Sequence, residues 1–397
     1  MSQTQFDWQG LEAAAVDGMV TAVKRVHEQH PNESIYGAIF HAFYGDGSII
    51  YWPCVAIGTE ESLAQVVTTY QQSGYSETRE QLTSDLRWSA ADLIHESEPT
   101  DTEDNWAESC CEFASQTGKF SYWETTYDRF THIFPQAAKQ AWEQLRQEGV
   151  VDDNFIAIAV DEAGDLIPLS LTKAQLFQHF PHYAAAEKER QYISSLPIER
   201  QVAELVAKSV KAVPAGELYD EYDQLLKALG TRAVPALVAV VRQESAGEPW
   251  CAIKLLAEIN EASPEVLSAL IATLDNSEAD ASTRSWAASG LARLGRMDLI
   301  AERIHDLPMD IAASGLTAPY RSFRDHGKHH PLDYQPLERV LSKYPHIESA
   351  VAKELSPGCG FCTITPEEER AAQAGLNSPW SFIRYHAESV LEEMHNY

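Results

Sequence analysis

Between Trp88 and Gly118 the chain has no lysine and no arginine, while Asp92, Glu96, Glu98, Asp101, Glu103, Asp104, Glu108 and Glu112 all fall in that window. Basic residues are scarce throughout the first half: residues 1–180 hold 9 Lys and Arg against 28 Asp and Glu, and the remainder holds 21 against 31. About two thirds of the formal charge of −29 therefore sits in the first half. Such a field repels nucleic acid and anionic membrane and attracts a cationic partner. Acidity also serves plain solubility, but a solvating surface mixes cations among its acids, as residues 197–242 do and this window does not.

Other absences narrow the function classes. No apolar run is long enough to cross a bilayer, and the start MSQTQFDWQG lacks the basic and apolar stretches of a signal peptide, so a cytoplasmic protein is expected. Cys54, Cys110, Cys111, Cys251, Cys359 and Cys362 show no framework of regular spacings and are read as reduced thiols. There is no GxxxxGK[ST] loop, no GxGxxG after a strand, no GxSxG elbow and no HExxH. The only His-Glu pairs, His27-Glu28 and His95-Glu96, lie in the first half. No cofactor is expected.

With 397 residues, 44% of them apolar and 10% aromatic, the chain can bury two or more cores. Residues 1–180 read as an acidic α+β domain of two hairpins with packed helices. Leu11, Ala14, Ala15, Met19, Ala22, Val23 and Val26 recur at helical spacing, which predicts a helix over 7–29. Residues 35–44 and 48–57 predict a hairpin around Gly45-Asp46-Gly47, and Thr59 with Glu60 and Glu61 starts a helix through Gln72. A long helix is expected over 122–148. A second hairpin is expected from 155–160 and 166–169, turning at 162–165.

From about Ile198 onward helix-length apolar patterns are punctuated every dozen or so residues by Pro, Gly, Asn or Ser, with almost no strand signal. The pattern repeats. Residues 234–241 align with 266–273, and each copy is followed by a helix carrying a small residue and a leucine, Ala252 with Leu256 and Ala287 with Leu291. Near the end, Arg384, Ala387 and Leu391 restate Arg284, Ala287 and Leu291, and Pro379-Trp380 echoes Pro249-Trp250. Ser263-Pro264-Glu265 and Thr365-Pro366-Glu367-Glu368 each place a capping hydroxyl before a proline at the first helical position. A small residue between an Arg and a Leu lets paired helices approach, and neighbouring pairs must stack to bury their faces. Residues 198–397 thus resemble an all-α HEAT-type α-solenoid. Residues 309–332, with a basic stretch from Arg321 to His330, fit the repeat poorly and are read as an insertion.

The first half carries a second resemblance. The run 36–44 with Gly45-Asp46-Gly47, then Pro53, Thr59-Glu60-Glu61 and Arg87-Trp88-Ser89, looks like an uncharacterised bacterial α+β domain family. That resemblance implies bacterial origin and a place among the small domains found beside toxin genes.

Cys359-Gly-Phe-Cys362 would be half of a tetrahedral zinc site, with His326, His329, His330 or His346 completing it; the bland alternative is two thiols in an inter-helix loop. Trp88, Trp106, Tyr122, Trp123 and Tyr127 flank or interrupt the acidic window, and are either core residues or interface anchors. Trp106, amid Glu103, Asp104 and Glu108, is the one expected at an interface. Two functions are carried forward. The first is a non-catalytic protein binder, an immunity or antitoxin-like protein whose acidic face (Asp92, Glu96, Glu98, Asp101, Glu103, Asp104, Trp106, Glu108 and Glu112) engages a basic toxin. The second is an enzyme or small-ligand module in the α+β domain, with the solenoid as docking scaffold and Asp46, His41, Asp92 and His95 as acid/base candidates.

Overall fold

The computed structural model describes residues 6–211, 219–321, 327–355 and 365–396. The chain divides into two compact units, one ending at Lys188 and the next beginning at Glu189. The first is α+β with a small mixed sheet, and the second is all helical.

In the first unit α1 (Trp8–Gln29) is followed by β1 (Ile35–His41), a two-stranded tip of β2 (Tyr44–Gly45) and β3 (Ile50–Tyr51), and β4 (Cys54–Thr59). The expected hairpin forms, with β1 and β4 antiparallel. Its reversal spans Asp46 to Ile49: the Asp46 carboxylate accepts from the Ser48 amide at 3.0 Å and the Ile49 amide at 3.1 Å. Then come α2 (Glu60–Gln72), α3 (Arg79–Leu86), β5 (His95–Ser97), α4 (Asp101–Ala114), α5 (Phe120–Gln147), β6 (Ile156–Ala159), α6 (Leu166–Ser170) and α7 (Lys173–His179). α8 (Pro181–Ser195) carries the chain into the second unit.

The four-stranded sheet has the order β5-β4-β1-β6, and both faces are covered. Phe40, Val55 and Ile57 pack with α1, α4 and α5 on one side, and Ile39, Ala56 and Ile158 pack with residues of α2, α3 and α7 on the other. Double coverage is why β1 and β6 read as near-continuous apolar runs rather than alternating ones.

The second hairpin does not form. β6 pairs in parallel with β1, and residues 166–170 coil into α6. The reason is local: Ser170 Oγ accepts from the Ala159 amide at 2.9 Å and donates to the Leu166 carbonyl at 2.9 Å, closing a helical turn over the end of β6. Pro168, which has no amide to donate, sits in that first turn, where no partner is required.

The second unit continues with α9 (Ile198–Ser209), α10 (Tyr219–Ala228), α11 (Val234–Val241), α12 (Pro249–Ile259), α13 (Pro264–Asp275), α14 (Ala281–Arg293), α15 (Met297–Ala301), α16 (Met309–Thr317), α17 (Gln335–Lys343), α18 (Glu348–Glu354), α19 (Pro366–Gly375) and α20 (Ser381–Asn396). Successive helices pack as pairs, α9 with α10, α11 with α12 and α13 with α14. Alternate helices also touch: α10, α12, α14, α16 and α18 form one row, and α9, α11 and α13 another. The aligned residues Ala252, Leu256, Ala287, Leu291 and Ala387 are fully buried in one continuous core. Between α10 and α12, Glu258 is enclosed and pairs with Lys227 at 3.0 Å and Lys254 at 3.7 Å, which keeps its charge tolerable away from water.

The insertion expected over 309–332 begins instead as a core element. Residues 309–317 form α16, whose Ile311, Ala312, Ala313 and Leu316 are buried. Gly315 lets it lie close to α14, since a Cβ there would stand 2.6 Å from the Ala288 Cβ.

Candidate functional site

The acidic window does not form one surface, because the alternation of β5 and the periodicity of α4 send its side chains in different directions. Thr100 caps α4, and Glu103 answers it: the Glu103 carboxylate accepts from the Thr100 amide and hydroxyl, both at 2.7 Å. Glu103 is thereby turned inward and buried. Asp101, Asp104, Glu108 and Glu112 instead share the outer face of α4, all exposed, and none has an ion-pair partner among the described residues.

Asp92 lies elsewhere, in the layer containing α2, where it accepts from the Tyr70 hydroxyl at 2.6 Å and the Ser89 hydroxyl at 2.5 Å. Trp106 is half-buried: its indole packs against α1, where a Cβ on Gly10 would meet it at 2.7 Å, and against Phe6 at a centroid distance of 6.1 Å. Trp123 is buried in the core, and Trp88 packs on Tyr36 and Phe180.

Other aromatics are exposed beside α4. Tyr44 and Tyr51 face each other across the β2–β3 tip at 5.5 Å and are 48% and 51% exposed. The tip is seated on α4, with the Cys111 thiol 3.3 Å from the Ser48 carbonyl. Phe120, 38% exposed, lies next to Gly47 of the same turn. Tyr44 and Tyr51 belong to the two segments read as the strands of the hairpin, and which of their faces stays exposed is decided by the packing of α4 beneath the tip.

A cavity of about 240 Å³ opens between α1 and the segment joining β5 to α4, lined by Asp17, Thr21, Arg25, Glu98, Thr100 and Glu103 among others. Its walls thus include three carboxylates and one guanidinium.

The edge strand β5 gathers two polar clusters, one on each face of the sheet. On one face, Glu96 lies 3.1 Å from His41, and Glu98 lies 3.6 Å from the thiol of Cys54, the cross-strand partner of His41. Burial holds the His41 imidazole below its ordinary range, against the pull of Glu96 and Glu98. Burial, reinforced by Glu98 and Glu96, pushes the Cys54 thiol up to about 12, the opposite of what an activated nucleophile requires.

On the other face His95 leaves its sequence neighbour Glu96 and meets Glu33 at 2.8 Å. His30, at the C-terminal cap of α1, meets the other oxygen of Glu33 at 3.1 Å. Glu33 also accepts from the Thr59 hydroxyl at 2.6 Å. Burial opposes ionisation of Glu33, but the hydrogen bonds from Thr59 and His95 and the nearby imidazoles outweigh it and hold its carboxyl below the usual range. Asp46, the remaining acid/base candidate, is held below its usual range by donation from Ser48 within the turn.

In the second unit His329 and His330 line a cavity of about 390 Å³ with Arg293, Tyr320 and Asp333. His346 stacks on His305 at 5.7 Å. Cys359, Cys362 and His326 lie outside the described residues.

Comparison with protein-family models, curated proteins and solved structures gives no match to this chain.

Proposed function

We propose that this protein is a non-catalytic binder of a cationic protein, of the immunity or antitoxin kind, and that the outer face of α4 with the adjoining β2–β3 tip is its recognition surface. The observation that carries this reading is the row Asp101, Asp104, Glu108 and Glu112, exposed and without ion-pair partners among the described residues. Carboxylates so placed steer a basic partner and raise its association rate, while Tyr44 and Tyr51 offer rigid amphipathic area of the kind that dominates interface energies. Glu96 and Glu98 extend the negative field toward the sheet edge, and Glu103 supports the face by fixing the start of α4 rather than by contact.

The second unit is read as a HEAT-type α-solenoid. Two features support that reading. Alternate helices stack in rows, as solenoid repeats do. The aligned arginines also do the same work: Arg284 donates to the Leu274 carbonyl at 3.0 Å and Arg384 to the Ser378 carbonyl at 2.7 Å, each reaching back toward the end of the preceding helix. Such arrays serve as scaffolds for protein partners, which agrees with a binding role.

The test is capture from the native cell, followed by surface-plasmon measurement with the product of the neighbouring gene. A basic protein that elutes as salt rises, and whose toxicity this chain suppresses, is the expected result. The triple change Asp104→Lys, Glu108→Lys and Glu112→Lys should lower the association rate about 10-fold or more at low salt. Tyr44→Ala with Tyr51→Ala should instead speed dissociation. Capture and rates unchanged by both sets would refute the surface.

A further inference from the structure

We propose that His30, Glu33 and His95 form a binding site for a single zinc ion. The nitrogen and oxygen donors of the three side chains all lie within 4.8 Å of one another. The two closest separations, 2.8 Å from His95 Nε2 to Glu33 and 3.1 Å from His30 Nδ1 to Glu33, already approach the edge of a zinc tetrahedron. With zinc–ligand bonds of about 2.0–2.2 Å that edge is roughly 3.3 Å, so small side-chain adjustments admit the ion.

The chemistry of the donors points the same way. Two imidazoles and one carboxylate suit zinc better than calcium or magnesium, which take oxygen ligands. Three protein ligands leave one tetrahedral position for water, and the side chains are 38%, 23% and 12% exposed for His30, Glu33 and His95, open enough for exchange. Zinc takes imidazole as a neutral ligand and so displaces any proton on it, and a divalent ion in this strongly acidic half is attracted rather than repelled.

The outer shell is in place. Thr59 donates to Glu33 Oε2 at 2.6 Å and so orients the carboxylate, the arrangement by which outer hydroxyls tune metal ligands. The backbone fixes the spacing between the first two ligands, because the Glu33 amide donates to the His30 carbonyl at 3.0 Å, and the His30 amide closes α1 on Val26 at 2.8 Å. His95 comes from an edge strand 62 residues further along, held by its pairing with β4. The ion would therefore tie the end of α1, the edge of the sheet and the start of α2 together. This site is independent of the partner-binding surface on α4.

The experiment uses the full chain carrying Cys359→Ser and Cys362→Ser, stripped with chelator and titrated with zinc against a chromophoric competitor. About one equivalent should bind, and His95→Ala and Glu33→Gln should each weaken it by about 100-fold or more, with Thr59→Val weakening it about 10-fold. Each variant is checked by circular dichroism. His30→Ala, at the most exposed ligand, serves if His95→Ala does not fold. X-ray absorption of the zinc-loaded Cys359→Ser, Cys362→Ser chain, which keeps all three ligands of this site, should show a nitrogen and oxygen shell with imidazole scattering. Uptake below about a tenth of an equivalent, affinity unchanged in folded His95→Ala or His30→Ala, or sulfur in the zinc shell would each overturn the assignment.

Discussion

At the scale of single residues, Thr59 holds more than its exposure suggests. It caps α2, accepting from the Ser62 amide at 3.0 Å, and donates to Glu33 from a fully buried position. Thr59→Ala should cost about 1–2 kcal/mol in urea unfolding, and Thr59→Ser, which keeps both bonds, should recover most of it. His41 gives a pH signature. Its folded-state affinity for protons is lowered chiefly by burial, so the unfolded chain binds the proton first as pH falls from about 6.5. The stability of the unmutated protein relative to His41→Gln should therefore decline from pH 7 to pH 5, measured by denaturant midpoints at each pH. A difference that stays constant would show that His41 keeps its ordinary proton affinity on folding. The Thr59 cap was readable from Thr59-Glu60-Glu61 alone, because capping is a matter of a few consecutive residues. The inward turn of Glu103 was less evident, although Thr100 three residues before it is the spacing of a capping box.

At the scale of elements, the close approach of α14 and α16 rests on Gly315. A Cβ there would also lie 3.1 Å from backbone of Ala288 and 3.0 Å from Ile300 Cδ1, and backbone cannot step aside. Gly315→Ala should destabilise the second unit by about 1–3 kcal/mol in thermal or urea unfolding, despite improving helix propensity. A neutral result would mean the two helices separate at little cost. The longest helices of the first unit were legible because their apolar spacing follows a period of 3.6, as in α1 and α5, whereas the short α3, α6 and α7 carry too few turns to show it. The parallel pairing of β6 was not legible. A strand of four buried residues has the same apolar pattern whichever neighbour it joins, and only the bond between Ser170 and Ala159 shows that the following segment returns as a helix.

At the scale of the whole molecule, the excess of carboxylates in the first half carries an energetic cost beside the recognition role proposed for it. Like charges repel most in the compact state, and added salt screens them over about 10 Å at 0.1 M. The melting temperature of the protein should rise between low and moderate sodium chloride, and the proposed binding of a cationic partner through α4 should weaken over the same range. A melting temperature that falls with salt would show that attractive pairs, such as Arg87 with Glu60 at 2.6 Å, outweigh the repulsion.

Local spacing alone is enough for where the acids lie, for the helices over 7–29, 59–72 and 122–148, for the first hairpin, and for the matching positions of Ala252, Ala287 and Ala387 in the helical half. Those properties follow from local spacing and backbone preference. Tertiary structure alone decided which acids face outward together, that Trp106 packs against α1 while Tyr44 and Tyr51 stay exposed, and that His95 meets Glu33 and His30 rather than Glu96. The physical reason is that a side chain's partner across a fold is set by strand register and helix rotation, and a sequence of one chain does not carry those distances on its surface. The basic-free window thus names the residues, and the packing of α4 against α1 and the β2–β3 tip leaves four of its acids exposed on one helix face.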